Sequence, residues 1–132
     1  MGADSFAVAS RAAAKLATEQ VIEQRKLPAT ILRPNALFQN DLLLKDAIAS
    51  GQVYATPLGG IGVTMVDLGD LAEVAALKLL RRERSADALP AETVEVVGPD
   101  LMTGEAMATL WSDVLGRPVA YAATTSTPSS RT

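Results

Sequence analysis

The chain predicts an α/β fold organised around a doubly wound parallel sheet, and three observations point to it. Ala29, Thr30, Ile31 and Leu32 form a short apolar, partly β-branched run closed by Pro28 and Pro34. A run this short, without alternation, marks a strand buried on both faces, as the inner strands of parallel sheets are. A helical pattern precedes it and another follows, and helix, strand, helix is the order of a doubly wound sheet. Residues 63–66 and 93–97 supply further strands ahead of further helices. In such sheets ligands sit beyond the carboxyl ends of the strands, which places a site at Arg33, Pro34, Asn35 and Ala36.

The totals narrow the possible functions. At 132 residues the chain can form one domain with a real core. Its net charge of −3 argues against nucleic acid, which needs a clustered basic face. The one basic cluster, Lys78, Arg81, Arg82 and Arg84, closes a helix, where cations offset the helix dipole. There is neither cysteine nor histidine. Disulfides, the usual zinc sites and histidine-based nucleophile systems are thereby excluded, and no metal is expected. No apolar leader or membrane-length stretch is present in this sequence, so a cytoplasmic protein away from membranes is expected.

Taken in order, Asp4 or Ser5 can cap an Ala-rich helix that runs to about Lys26. Ala13, Leu16, Ala17 and Val21 share the face expected to lie on the sheet, and Lys15 and Glu19 fall opposite, spaced for an ion pair. After the strand, Phe38, Leu42, Leu43, Leu44, Ala47 and Ile48 predict a helix with Gly51 as its C-terminal cap. Residues 52–55 predict a short strand, and 57–62 a loop. Gly60-Ile61-Gly62 begins a phosphate-binding fingerprint, but Met65 stands at the third glycine and no helix starts in register, so the fingerprint is rejected.

Asp67 with Asp70 predicts a helix start rather than a metal pair, and Leu68, Leu71, Ala75 and Leu79 give that helix its buried stripe. Residues 83–92 form a charged surface connection. Gly98-Pro99 stops the strand at 93–97. Thr103 caps a last helix in which Met107, Leu110, Trp111 and Val114 recur at helical spacing, with Trp111 read as packing, and Gly116 and Pro118 close it. Residues 119–122 predict a final strand, and 124–132 a disordered tail.

Three pieces also carry a resemblance: Lys15-Leu16-Ala17-Thr18-Glu19, then Leu27-Pro28-Ala29-Thr30-Ile31-Leu32-Arg33-Pro34-Asn35, then Val66-Asp67-Leu68-Gly69-Asp70-Leu71-Ala72. In order and spacing, from about Ala9 to about Tyr121, they resemble the second half of an NmrA-like protein, of the atypical short-chain dehydrogenase/reductase group. The resemblance implies a partial Rossmann-like fold: residues 1–123 as the C-terminal part of an NAD(P)-binding domain, with short substrate-side strands and helices. The Gly-rich pyrophosphate turn of the first half is not represented in this sequence.

By the same resemblance Lys15 reaches the nicotinamide ribose, and is the candidate catalytic as well as cofactor-binding residue. The backbone of Pro34, Asn35 and Ala36 borders the nicotinamide, and Phe38 and Tyr54 lie on the substrate side. The cofactor is NADP or NAD. The wider group uses a tyrosine proton donor four residues before the lysine, where this chain has Arg11. Outside the family context Lys15 is simply a solvated partner of Glu19, and Asn35 a turn residue.

Three functions follow: an NAD(P)-dependent oxidoreductase, a non-enzymatic cofactor-sensing or interaction module of the same ancestry, or a plain structural domain. A sheet edge left open by the missing half predicts self-association or a partner chain covering it.

Overall fold

The computed structural model describes residues 3–56, 58 and 60–123. The expected tail at 124–132, Met1, Gly2, and Pro57 and Gly59 of the expected loop lie outside the described residues. The fold is mixed α/β with parallel pairings, compatible with a partial Rossmann-like fold. The chain divides into two compact units, one of residues up to Arg33 with Ala72–Glu95, the other of Pro34–Leu71 with residues from Val96 onward.

The first unit holds α1 (Ala3–Gln24), β1 (Thr30–Pro34), most of α3 (Leu68–Glu83) and β5 (Glu92–Val96). α1 already includes Asp4 and Ser5, so neither precedes the helix as a cap. It ends on Lys26 in the left-handed region (φ 49°), with Lys26 N–H donating to the Glu23 carbonyl and Leu27 N–H to that of Ile22. Those two bonds are a Schellman closure with lysine where glycine is usual.

The expected sheet-facing stripe of α1 is instead exposed, Leu16 by 57 % and Val21 by 46 %. β1 also departs from expectation. It pairs with β5 in a two-stranded sheet; Thr30, Ile31 and Leu32 are half-buried and Arg33 and Pro34 exposed. A strand with one neighbour cannot be an inner strand. Likewise no side chain of α3 is fully buried, and Leu68 and Leu79 of its expected stripe are exposed.

Arg82 anchors this unit. Its Nε donates to Thr30 Oγ1 (2.7 Å), Nη1 to the Leu89 carbonyl (2.9 Å), and Nη2 to the Ala29 (2.6 Å) and Pro90 (2.8 Å) carbonyls. Lys78 pairs with Glu92 at 3.1 Å, and its hydrogen bond holds the Glu92 carboxyl below its ordinary range. The basic cluster thus ties the connection at 89–92 to the start of β1, beyond any interaction with the helix dipole.

The second unit holds β2 (Ala36–Leu37), a 3₁₀ helix (Phe38–Leu44), α2 (Lys45–Gly51), β3 (Val53–Tyr54), β4 (Val63–Val66), β6 (Leu101–Met102), α4 (Gly104–Leu115) and β7 (Ala120–Tyr121). β2 lies parallel to β4 (Ala36 opposite Met65), β6 antiparallel to β4 (Val63 opposite Met102), and β3 parallel to β7 (Tyr54 opposite Tyr121). β2 and β6 were not anticipated, because two-residue strands leave no period to read.

The core is Ile48, Tyr54, Met65, Met107, Ala108 and Val119, with Phe38, Leu44 and Trp111 packed against it. Each fully buried large side chain contributes roughly 1.5–3 kcal/mol relative to exposure. Of the leucine run only Leu44 joins, while Leu42 and Leu43 are exposed.

The helix expected from Phe38 begins as 3₁₀ and becomes α at Lys45. Gly51 is its last helical residue. The left-handed cap is Gln52 (φ 53°), whose N–H donates to the Ala47 carbonyl. α4 follows expectation: Ala106 N–H donates to Thr103 Oγ1 at 3.1 Å, and Gly116 closes it at φ 64°. A strand rather than a helix follows Gly62, consistent with rejecting the phosphate fingerprint. Gly62 has φ 77° and sits where a Cβ would come within 2.7 Å of the Met102 carbonyl. A Cβ on Gly98 would overlap the Met65 carbonyl oxygen, so this strand end needs glycine for close approach.

Candidate functional site

Lys15 lies on the exposed face of α1 in the first unit. Glu19, its expected ion partner, instead takes two hydrogen bonds from the Arg33 guanidinium, which hold the Glu19 carboxyl below its ordinary range. Lys15 is thereby relieved of that structural task.

Pro34, Asn35, Ala36, Phe38 and Tyr54 belong to the second unit. Asn35 is a one-residue break between β1 and β2, and the strand pairing resumes at Ala36. Its N–H donates to the Val96 carbonyl (3.2 Å) and its Nδ2 to Thr64 Oγ1 (3.0 Å). Those bonds use the two kinds of donor and leave Oδ1 as an available acceptor on an exposed residue.

Asp67 orders the start of α3. Its Oδ1 accepts from Gly69 N–H (2.7 Å) and its Oδ2 from Gln39 Nε2 (2.6 Å), while Gln39 Oε1 accepts from Leu68 N–H (3.0 Å). The Gln39 bond first, then that of Gly69, pulls the Asp67 carboxyl below its usual range. This is the expected capping role, extended by a glutamine side chain.

Phe38 lines a cavity of about 300 Å³ together with Leu42, Met107, Leu110, Trp111 and Val114. Its polar lining is Gln39 and Asp41, the latter only 5 % exposed. Asp41 Oδ1 accepts from the Tyr54 hydroxyl (3.0 Å) and Oδ2 from Trp111 Nε1 (2.9 Å). Tyr54, 1 % exposed, has its pKa pushed up to about 12, chiefly by burial, with the Asp41 charge adding to the effect.

Sequence reasoning missed Asp41. The available signal was an acid inside the run from Phe38 to Leu44, but its partners stand 13 and 70 positions away. Trp111, expected to pack, does so and also donates this hydrogen bond. Among the described residues no cluster of three carboxylates, histidines or cysteines could hold a metal, and no helix is long and apolar enough to cross a membrane.

The chain is similar to an NAD(P)H azoreductase of Xenophilus azovorans. The two are 31 % identical over 107 residues, 81 % of this chain and 36 % of that protein. The chain therefore spans about a third of the length of this curated relative. No family model matches, and no solved structure does.

Proposed function

We propose that this chain supplies the nicotinamide and substrate side of an NAD(P)-dependent oxidoreductase of the NmrA-like, atypical short-chain dehydrogenase/reductase kind. The likeness over 107 residues to a protein named for NAD(P)H carries the reading. The mixed α/β order of helix, strand and helix is compatible with it.

In this reading the exposed Lys15 ammonium donates to the nicotinamide ribose. The backbone of Pro34, Asn35 and Ala36 lies along the nicotinamide, and Asn35 Oδ1 offers an acceptor suited to a carboxamide NH₂. The cofactor when bound supplies the hydride, and NADP and NAD remain equal candidates. Phe38 walls the substrate side, and Tyr54 holds the Asp41 carboxylate in place there.

Proton delivery is the step these residues serve poorly. Arg11 stands at the family's tyrosine position, so no phenol is there to donate a proton. Tyr54 is committed to Asp41 and is a weaker acid than an ordinary tyrosine. The substrate best suited to such a site accepts its proton from solvent. An azo compound, taken from the relative's name, is the first acceptor to try.

The test is NADPH or NADH consumption with an azo acceptor, for wild type and Lys15→Ala. Turnover requiring both substrates, with the cofactor KM raised about tenfold or more in Lys15→Ala, supports the reading. A folded protein that consumes neither cofactor counts against it.

A further inference from the structure

The cavity beside the 3₁₀ helix has the construction of a binding site for a particular class of molecule. Asp41 is more than nine-tenths buried at its wall, and its two hydrogen-bond donors, the Tyr54 hydroxyl and the Trp111 indole, are both neutral. The ion pairs among the described residues all involve Glu19, Glu92 or Glu95, so none of the described lysines or arginines pairs with Asp41. A buried carboxylate without a cation is unfavourable and is ordinarily neutralised by a partner. Each of its oxygens retains acceptor capacity after one bond.

The remaining wall is apolar, formed by Phe38, Leu42, Met107, Leu110 and Val114, with Gln39 as a neutral polar neighbour. Leu42, Leu110 and Val114 are also exposed, at 63 %, 42 % and 67 %, so apolar surface rings the opening. A volume of about 300 Å³ stands at the small end of known ligand sites, which run from roughly 300 to 1,000 Å³.

We infer that this cavity binds a small hydrophobic ammonium, an aryl or alkyl group in the apolar pocket with its protonated amine on Asp41. The inference names a substrate class for the substrate side proposed above and rests on that reading only for the word substrate. Binding is measured without cofactor, so its failure and the failure of cofactor binding are separate results.

Trp111 is the only tryptophan in the chain and contributes to both the wall and the Asp41 bond, so its emission reports occupancy directly. The experiment titrates the full chain with phenethylamine and, separately, with phenethyl alcohol, a neutral compound of the same shape. A saturable change in emission with the amine, at least tenfold tighter than with the alcohol, is expected. Asp41→Asn removes that preference while leaving alcohol affinity as it was. Val114→Phe, which fills the opening without touching the carboxylate, weakens both ligands and serves where Asp41→Asn does not fold.

Equal affinities for amine and alcohol overturn the inference, as does an amine preference that survives Asp41→Asn, or no saturable binding by the folded wild type. A purely structural Asp41 would change stability on substitution and show no amine preference in wild type.

Discussion

Replacing Arg82 by methionine keeps the length and apolar stem of the side chain and removes every donor. Four bonds go, but they are unequal. The Pro90 carbonyl is exposed and rehydrates, and the Leu89 carbonyl lies in the same partly open connection. The Ala29 carbonyl still receives Glu92 N–H at 3.0 Å, and the Thr30 hydroxyl still donates to Glu92 at 3.1 Å, so neither is orphaned. What is lost is three part-buried bonds to a charged donor, of which the one to the Leu89 carbonyl is largely replaced by water, leaving two to count. At the lower end of the range for such bonds, about 1.5 kcal/mol each, the expected destabilisation is about 2–3 kcal/mol.

Arg82→Lys recovers part of it, since a single ammonium cannot reproduce the guanidinium fork. The control is Arg81→Met, whose contact to Glu92 is 3.7 Å on a largely exposed side chain and should shift nothing measurable. Urea unfolding followed by far-ultraviolet circular dichroism, comparing midpoints at constant slope, is the assay. Equal midpoints for Arg82→Met and Arg81→Met would refute the clamp and return the cluster to helix-dipole duty alone.

Other outcomes follow from the same geometry. Because the Tyr54 pKa is raised in the folded state, the folded form holds its proton longer than the unfolded form. Stability is therefore unaffected by this group below about pH 9 and falls as pH rises from 10 to about 12. The loss is roughly 3 kcal/mol at about 1.4 kcal/mol per pH unit, and Tyr54→Phe, unfolded across the same pH series, should remove that component. Gly51→Ala should stabilise by about 0.5–1 kcal/mol in thermal unfolding, because Gly51 is helical with open space around its Cβ position. A loss of stability would mean that Gly51, rather than Gln52, is the left-handed cap. In the first unit, exposed Leu16 and Val21 on α1 and Leu77 and Leu79 on α3 predict self-association. Light scattering at micromolar concentration should show dimers or larger species, and a monodisperse monomer would contradict this.

The parts legible in the sequence were those with local signals. Thr103, Asp67 and Gly116 announce helix ends through chemistry confined to a single turn, and the strands at 30–34, 63–66 and 92–96 stand out as β-branched runs between Pro, Gly and charged residues. Burial was read less well. Spacing identifies an apolar stripe on a helix but not what covers it, so Leu16, Val21, Leu68 and Leu79 were expected inside and are exposed.

Gly51 drew the cap because glycine usually takes it, whereas a 3₁₀ turn ahead of α2 and the Gln52 bond to Ala47 move the helix end one residue on. The Asp41, Tyr54 and Trp111 triad was out of reach because hydrogen bonds across 13 and 70 positions leave no periodicity. Lys15 came from resemblance alone, and Asn35 from resemblance together with its place past the carboxyl end of a strand. The structure adds that Glu19 belongs to Arg33 and that Asn35 keeps an acceptor.

Calorimetric titration of the folded chain with NADPH and, in parallel, NADH tests the cofactor reading most directly, with Lys15→Ala as the comparison. Saturable heat with at least one nucleotide, and an affinity about tenfold weaker in Lys15→Ala, is the expected result. Absence of heat with either nucleotide, or identical binding by Lys15→Ala, would contradict it.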